Sequence, residues 1–119
     1  MSLKINIREN GNVVILDLEG RITLGEEAAS LRDTIRDMLD SGHRNILLNL
    51  AGISYIDSSG LGQLVGSFAT VSGRGGQLRL LNLQKKLHEL MQVTKLITVF
   101  DTYTSESAAL RSFGASASA

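Results

Sequence analysis

The 119-residue chain has no cysteine, no excess charge of either sign and no long hydrophobic run. Without cysteine there is neither a disulfide framework nor a thiolate metal site. Twelve basic residues balance twelve acidic ones, so no global field draws the molecule to nucleic acid or to an anionic membrane. The longest purely apolar stretches, such as Ile46, Leu47, Leu48, fall far short of the roughly 20 residues that span a bilayer, so no membrane insertion is expected. The start, Met1 to Ile7, alternates like a strand and lacks the apolar centre of a secretion signal. These absences suit a cytoplasmic protein that meets other proteins.

The length fits one domain, and a chain of this size buries roughly two thirds of its unfolded surface. Leu3, Ile5 and Ile7 alternate with polar residues, Asn10 and Gly11 form a turn, and Val13 to Leu18 returns, which predicts a β-hairpin. Thr23 followed by Glu26 reads as a capping box for a first helix over about 24–41, whose apolar stripe is Ala28, Leu31, Ile35, Met38 and Leu39. A buried strand is expected over 45–50 and a second helix over 59–72, with Leu61, Leu64, Val65, Phe68 and Val71 on one face. Gly73, Arg74, Gly75, Gly76 turn the chain into a strand from Gln77 to Leu81. Asn82 is expected to cap a third helix, Ile97 to Phe100 to form a short edge strand, and Ser105 to Phe113 a last helix. Residues 114–119 read as a small, polar, disordered tail after a single domain over 1–113. Strands alternating with helices after a hairpin predict an α/β fold with a mixed, mostly parallel sheet of four or five strands and about four helices.

The most informative segment is Tyr55, Ile56, Asp57, Ser58, Ser59, Gly60, Leu61, Gly62, where a hydrophobic strand gives way to a helix. Sites in open α/β sheets lie beyond the carboxyl ends of parallel strands, and the expected loop from Ala51 to Ser59 lies there. Asp57, Ser58 and Ser59 are placed to accept unpaired N–H groups at the helix start. The hydroxyls admit three chemistries. A nucleophile elbow needs glycine two residues before the serine, where Ile56 stands, and neither His43 nor His88 has a spacing that predicts a triad. Those two histidines read as a turn residue and a polar helix residue, and no metal site is expected. Gly60, Leu61, Gly62 does not complete a dinucleotide fingerprint or a P-loop. A phosphorylatable serine fits the physics, because a dianion of roughly −1.5 to −2 charge meets free N–H groups at a helix start. On the residues alone, simple capping is the commoner role of Asp and Ser at a helix start. Gly62, Gly66 and Ala69 share a helical stripe that either admits another molecule's backbone closely or packs tightly against the sheet.

The order hairpin, helix, Asn45 to Leu50, then Ile53 through Gly62, with Gly20 before the first helix and Arg74, Gly75, Gly76 after the second, resembles the STAS domain of bacterial anti-sigma factor antagonists over essentially residues 1–113. The resemblance implies a non-enzymatic protein-binding module without a cofactor. Ser58 corresponds to the serine that an anti-sigma factor serine kinase phosphorylates with ATP and a serine phosphatase restores. The unphosphorylated form sequesters the anti-sigma factor and frees a sigma factor, and phosphorylation ends binding. The rim expected to meet the partner comprises Arg21, Thr23, Ser54, Asp57, Ser59, Gly62 and Gly66. Many relatives carry Asp where this chain has Thr23, which removes a charge beside Ser58 and bears on partner choice. Other STAS domains serve transport systems or other partner-switching outputs without phosphorylation, which is the alternative function.

Overall fold

The structure, a computed structural model, describes residues 3–117. Its elements run β1 (Leu3–Asn10), β2 (Val13–Ile22), α1 (Glu26–Asp40), β3 (Asn45–Ile56), α2 (Ser58–Gly73), β4 (Gln77–Leu81), α3 (Lys85–Val93), a 3-10 turn (Leu96–Thr98), β5 (Thr102–Tyr103) and α4 (Glu106–Ala117). The five strands form one sheet in the order β1-β2-β3-β4-β5. The hairpin makes β1 and β2 antiparallel, and every later pair is parallel.

Strand burial follows from helices on both faces. Val14, Leu16 and Leu18 of β2 with Ile46, Leu48 and Leu50 of β3 point into a core completed by Leu31, Ile35 and Leu39 of α1, Leu61, Leu64 and Val71 of α2, and Leu87 and Met91 of α3. The alternate residues Val13, Ile15 and Leu47 meet Leu81, Ala109 and Phe113 in a smaller core under α4. This is why Val13 to Leu16 and Ile46 to Leu48 are continuous apolar runs rather than alternating ones. The Arg79 guanidinium lies over the Phe113 ring at 4.6 Å and fastens α4 to the sheet.

Several expectations are corrected. The first helix starts at Glu26, and its N-cap is Gly25, not Thr23. Gly25 has φ 102°, a left-handed conformation that glycine takes without steric cost, and no capping box forms. The Thr23 hydroxyl donates instead to the Glu27 carboxylate. The third strand does not stop at 50 but continues to Ile56, so residues expected in a loop lie on a strand. The cause is β2, which pairs with β3 as far as Ile22↔Ile56 through two register shifts, after Asp17 and after Gly20. Asn82 does not cap α3. It sits at φ 61° and its amide donates to Asn49 Oδ1 at 3.1 Å, while Gln84 takes the N-cap position. Ile97 to Phe100 is no strand, because the left-handed Lys95 (φ 64°) ends α3 and starts the 3-10 turn. There Leu96 and Ile97 cover the core and Phe100 meets Phe68 edge-on at 5.4 Å. The fifth strand is Thr102–Tyr103. The last helix extends past Phe113 to Ala117, so residues 114–117 of the expected tail continue it, and residues 118 and 119 lie outside the described residues.

Candidate functional site

A single residue, Asp57, separates β3 from α2. Its extended backbone (φ −98°, ψ −177°) turns its side chain back over the first turn of the helix, where Oδ1 accepts the Gly60 N–H at 2.7 Å. The other oxygen, Oδ2, accepts the Leu24 N–H at 3.1 Å, which ties the β2–α1 loop to the same carboxylate. These two bonds, Gly60 first and Leu24 second, hold the Asp57 carboxyl below its usual range, so it is ionised at neutral pH. Asp57 is thus the cap that its position in the sequence predicts.

Gly60 shows why the joint is tight. A Cβ there would lie 2.1 Å from the Ile22 carbonyl oxygen and 2.8 Å from Ile56 Cγ1, so only glycine lets the helix start rest on the end of β2. This clamp fixes Ser58 at the first helical position with its side chain in solvent. Among the described residues no hydrogen-bond partner holds the Ser58 hydroxyl. Ser59, next along, is half-buried. No acidic side chain stands in the first turn of α2, so Asp57 supplies the local negative charge.

Apart from Thr23, whose hydroxyl is taken up by Glu27, the other expected rim residues divide into two groups. Ser54 and Arg21 belong to the paired ends of β3 and β2, with the Ser54 hydroxyl donating to the Gly20 carbonyl at 3.1 Å. The Arg21 guanidinium lies over the Tyr55 ring at 5.0 Å, and its Nε is buried without a hydrogen-bond partner. Arg21 is therefore a half-buried, stacked charge rather than a solvated loop charge. Gly62 and Gly66 form the second group, on the exposed face of α2 with Ala69. A Cβ at either glycine would meet nothing within 4 Å. The tight-packing explanation of this stripe fails; the close approach belongs to Gly60 alone among the helix's first three glycines. The stripe is a smooth, side-chain-poor strip of helix running away from Ser58.

The structure adds two residues to this rim. Leu24 is 76% exposed and Tyr55 51% exposed, both large and apolar beside polar neighbours. Leu24 breaks no visible periodicity in the sequence, so only its backbone bond to Asp57 reveals where it sits. Strand alternation does not give Tyr55 either: it stands two residues from the buried Ile53, on the face a regular strand would bury, and its exposure is seen only in the structure. His43 and His88 lie elsewhere, after α1 and on the exposed side of α3. Among the described residues no cluster of histidine and carboxylate groups could hold a metal ion, and no helix is long and apolar enough to cross a membrane.

The architecture defines a single α/β domain with a mixed five-stranded sheet and four helices, presenting a hydroxyl at a clamped helix start. The family model of the STAS domain matches residues 4–109, and the chain belongs to that family. It is 32% identical over 101 residues to the anti-sigma-B factor antagonist of Bacillus subtilis (strain 168), which covers 85% of this chain and 91% of the relative. A candidate anti-sigma factor antagonist from Thermotoga maritima superposes with a TM-score of 0.84 at 26% identity, over 91% of this chain and 92% of that one. The Bacillus cell fate determinant SpoIIAA in its phosphorylated form shares the fold, with a TM-score of 0.71 at 21% identity over 91% and 97% of the two chains.

Proposed function

We propose that this chain is a non-enzymatic anti-sigma factor antagonist whose binding is switched by phosphorylation of Ser58. The observation that carries the reading is the Ser58 hydroxyl, exposed and unpartnered at a helix start held by Asp57 and Gly60. An anti-sigma factor with serine kinase activity would transfer the γ-phosphoryl of ATP to Ser58 Oγ, leaving ADP and taking the hydroxyl proton onto its own base. The dianion meets the N-terminal end of α2, which the fold tolerates, but a partner seated on the rim would have to desolvate it beside ionised Asp57. Binding is lost while the domain stays folded, and a serine phosphatase restores it. The names of the curated relatives support antagonism, and the phosphorylated SpoIIAA structure supports a fold that accommodates the modification. The proposed contact surface is Leu24, Tyr55, Arg21, Thr23, Ser54, Asp57 and Ser59 around Ser58, continued by Gly62 and Gly66.

Incubation with the anti-sigma kinase of the same organism and ATP should add one phosphate, mapped by mass spectrometry to Ser58, and Ser58→Ala should abolish it. Ser58→Asp should weaken kinase binding with an unchanged melting temperature. Phosphate incorporated equally into Ser58→Ala, or full binding by the phosphorylated chain, refutes the proposal. Co-purification with transporter components and an unmodified Ser58 in cells would replace it with the transport reading.

A further inference from the structure

The pairing of β3 with β4 ends at Asn49↔Leu81, whereas its pairing with β2 continues to Ile56. From Leu50 onward the outer edge of β3 therefore has no strand beside it, and α3 crosses that gap. The result is a groove of about 550 Å³ with walls formed by Leu50, Ile53 and Ile56 of β3 and Leu87 and Leu90 of α3. Its size lies within the roughly 300–1,000 Å³ typical of small-molecule sites. Ser54 and Tyr55 add hydroxyl groups along β3, but the charged groups stand at one end only, the start of α3, where Lys85 and Lys86 line the groove. Both lysines are exposed, and among the described residues neither forms an ion pair or a side-chain hydrogen bond. The helix start beneath them has no side-chain cap and no acidic residue in its first turn. Gln84, at the N-cap, turns its amide away to donate to the Ala51 carbonyl at 2.6 Å.

We propose that this groove binds a small anionic amphiphile, with an apolar body against Leu50, Ile53, Ile56, Leu87 and Leu90 and a carboxylate head on the two lysines and the uncapped turn of α3. The physical argument is one of complementarity. An apolar trough takes an apolar chain, and its single charged end combines two ammonium groups with the positive end of a helix. A cationic amphiphile of the same length matches the trough but not that end. The groove does not include Ser58 but adjoins its rim through Ser54 and Tyr55; the lysine end carries the proposal, and its test does not depend on phosphorylation.

Sodium decanoate, kept below its micelle-forming concentration, is titrated into the full-length isotope-labelled chain. Saturable binding is expected, with amide shifts centred on residues 50–56 and 84–90 and a rise in melting temperature. The double variant Lys85→Glu and Lys86→Glu should weaken binding about tenfold or more. It should fold normally, because acidic residues suit the first turn of a helix, and circular dichroism checks this. Decyltrimethylammonium should bind about tenfold more weakly than decanoate. Equal binding of the cation, undiminished binding by the folded double variant, or shifts located elsewhere overturns the proposal. Decanoate that fails to bind while phosphatidylglycerol vesicles do so also overturns it, since the groove edge would then be a membrane-facing surface.

Discussion

Gly62 and Gly66 offer the sharpest test of the rim, because they separate the needs of the fold from the needs of a partner. Each lies in the interior of a helix, in open space, where alanine is favoured over glycine by about 0.5–1 kcal/mol. The double variant Gly62→Ala, Gly66→Ala should therefore gain about 1–2 kcal/mol. Unfolding entropy of about 2.1 cal/mol/K per residue gives this chain roughly 0.25 kcal/mol/K, so the melting temperature should rise by about 4–8 °C. Scanning calorimetry measures the gain, and titration with the anti-sigma kinase measures binding. If a partner's surface lies against the strip, two methyl groups weaken binding while the domain grows more stable, and Gly62→Leu abolishes it. A lower melting temperature would sink the reasoning about open space. A stabilised variant with undiminished binding, for alanine and leucine alike, would remove the strip from the contact surface.

Gly60→Ala should have the opposite sign: its methyl group would collide with the Ile22 carbonyl, and an overpacking cost of about 1–3 kcal/mol outweighs the helix gain of about 1 kcal/mol, lowering the urea midpoint. Phe113→Ala should cost about 3–5 kcal/mol, since Phe113 is fully buried under the Arg79 guanidinium, and urea denaturation checks it. Asp57 predicts a pH effect. Its carboxyl is depressed in the folded state, so the unfolded chain binds the proton first and stability rises with pH. The contribution is complete above the ordinary aspartate value of about 4 and disappears as pH falls through the lower folded value. Urea midpoints of the native chain should decline from pH 5 to pH 2 more steeply than those of Asp57→Asn, and parallel curves would contradict the carboxylate's two-bond role.

The hairpin, the crossovers and the capped start of α2 were legible because local chemistry decides each of them. The hairpin turn is Gly11 and Asn12, one residue beyond the expected Asn10 and Gly11, since Asn10 still pairs with Val13 and Gly11 takes the positive φ of 62°; an aspartate before a helical stripe caps it as expected. The extension of β3 was hidden, since Gly52, Ser54 and Tyr55 look like a loop until β2 supplies Gly20, Arg21 and Ile22 as pairing partners. Thr23 and Glu26 fit a capping box in sequence, whereas the positive-φ Gly25 starts the first helix further on. Ile97 to Phe100 has the apolar look of a short strand, but the left-handed Lys95 sends it into a turn that closes the core. Of the rim, Ser58 and Asp57 were visible from the helix start; Leu24 was not, because its place depends on a backbone bond across to Asp57.

The overhang of β2 and β3 past the end of β4 makes the rim a cantilever projecting from the body of the sheet. Its tip is braced where one carboxylate grips both the β2–α1 loop and α2, and its root is the covered middle of the sheet. Side chains at the tip, Leu24 and Tyr55 among them, can be exchanged without disturbing the layers around Phe113 or Leu31. Partner choice and structural robustness are thereby stored in different parts of one small molecule, and each can drift without taxing the other.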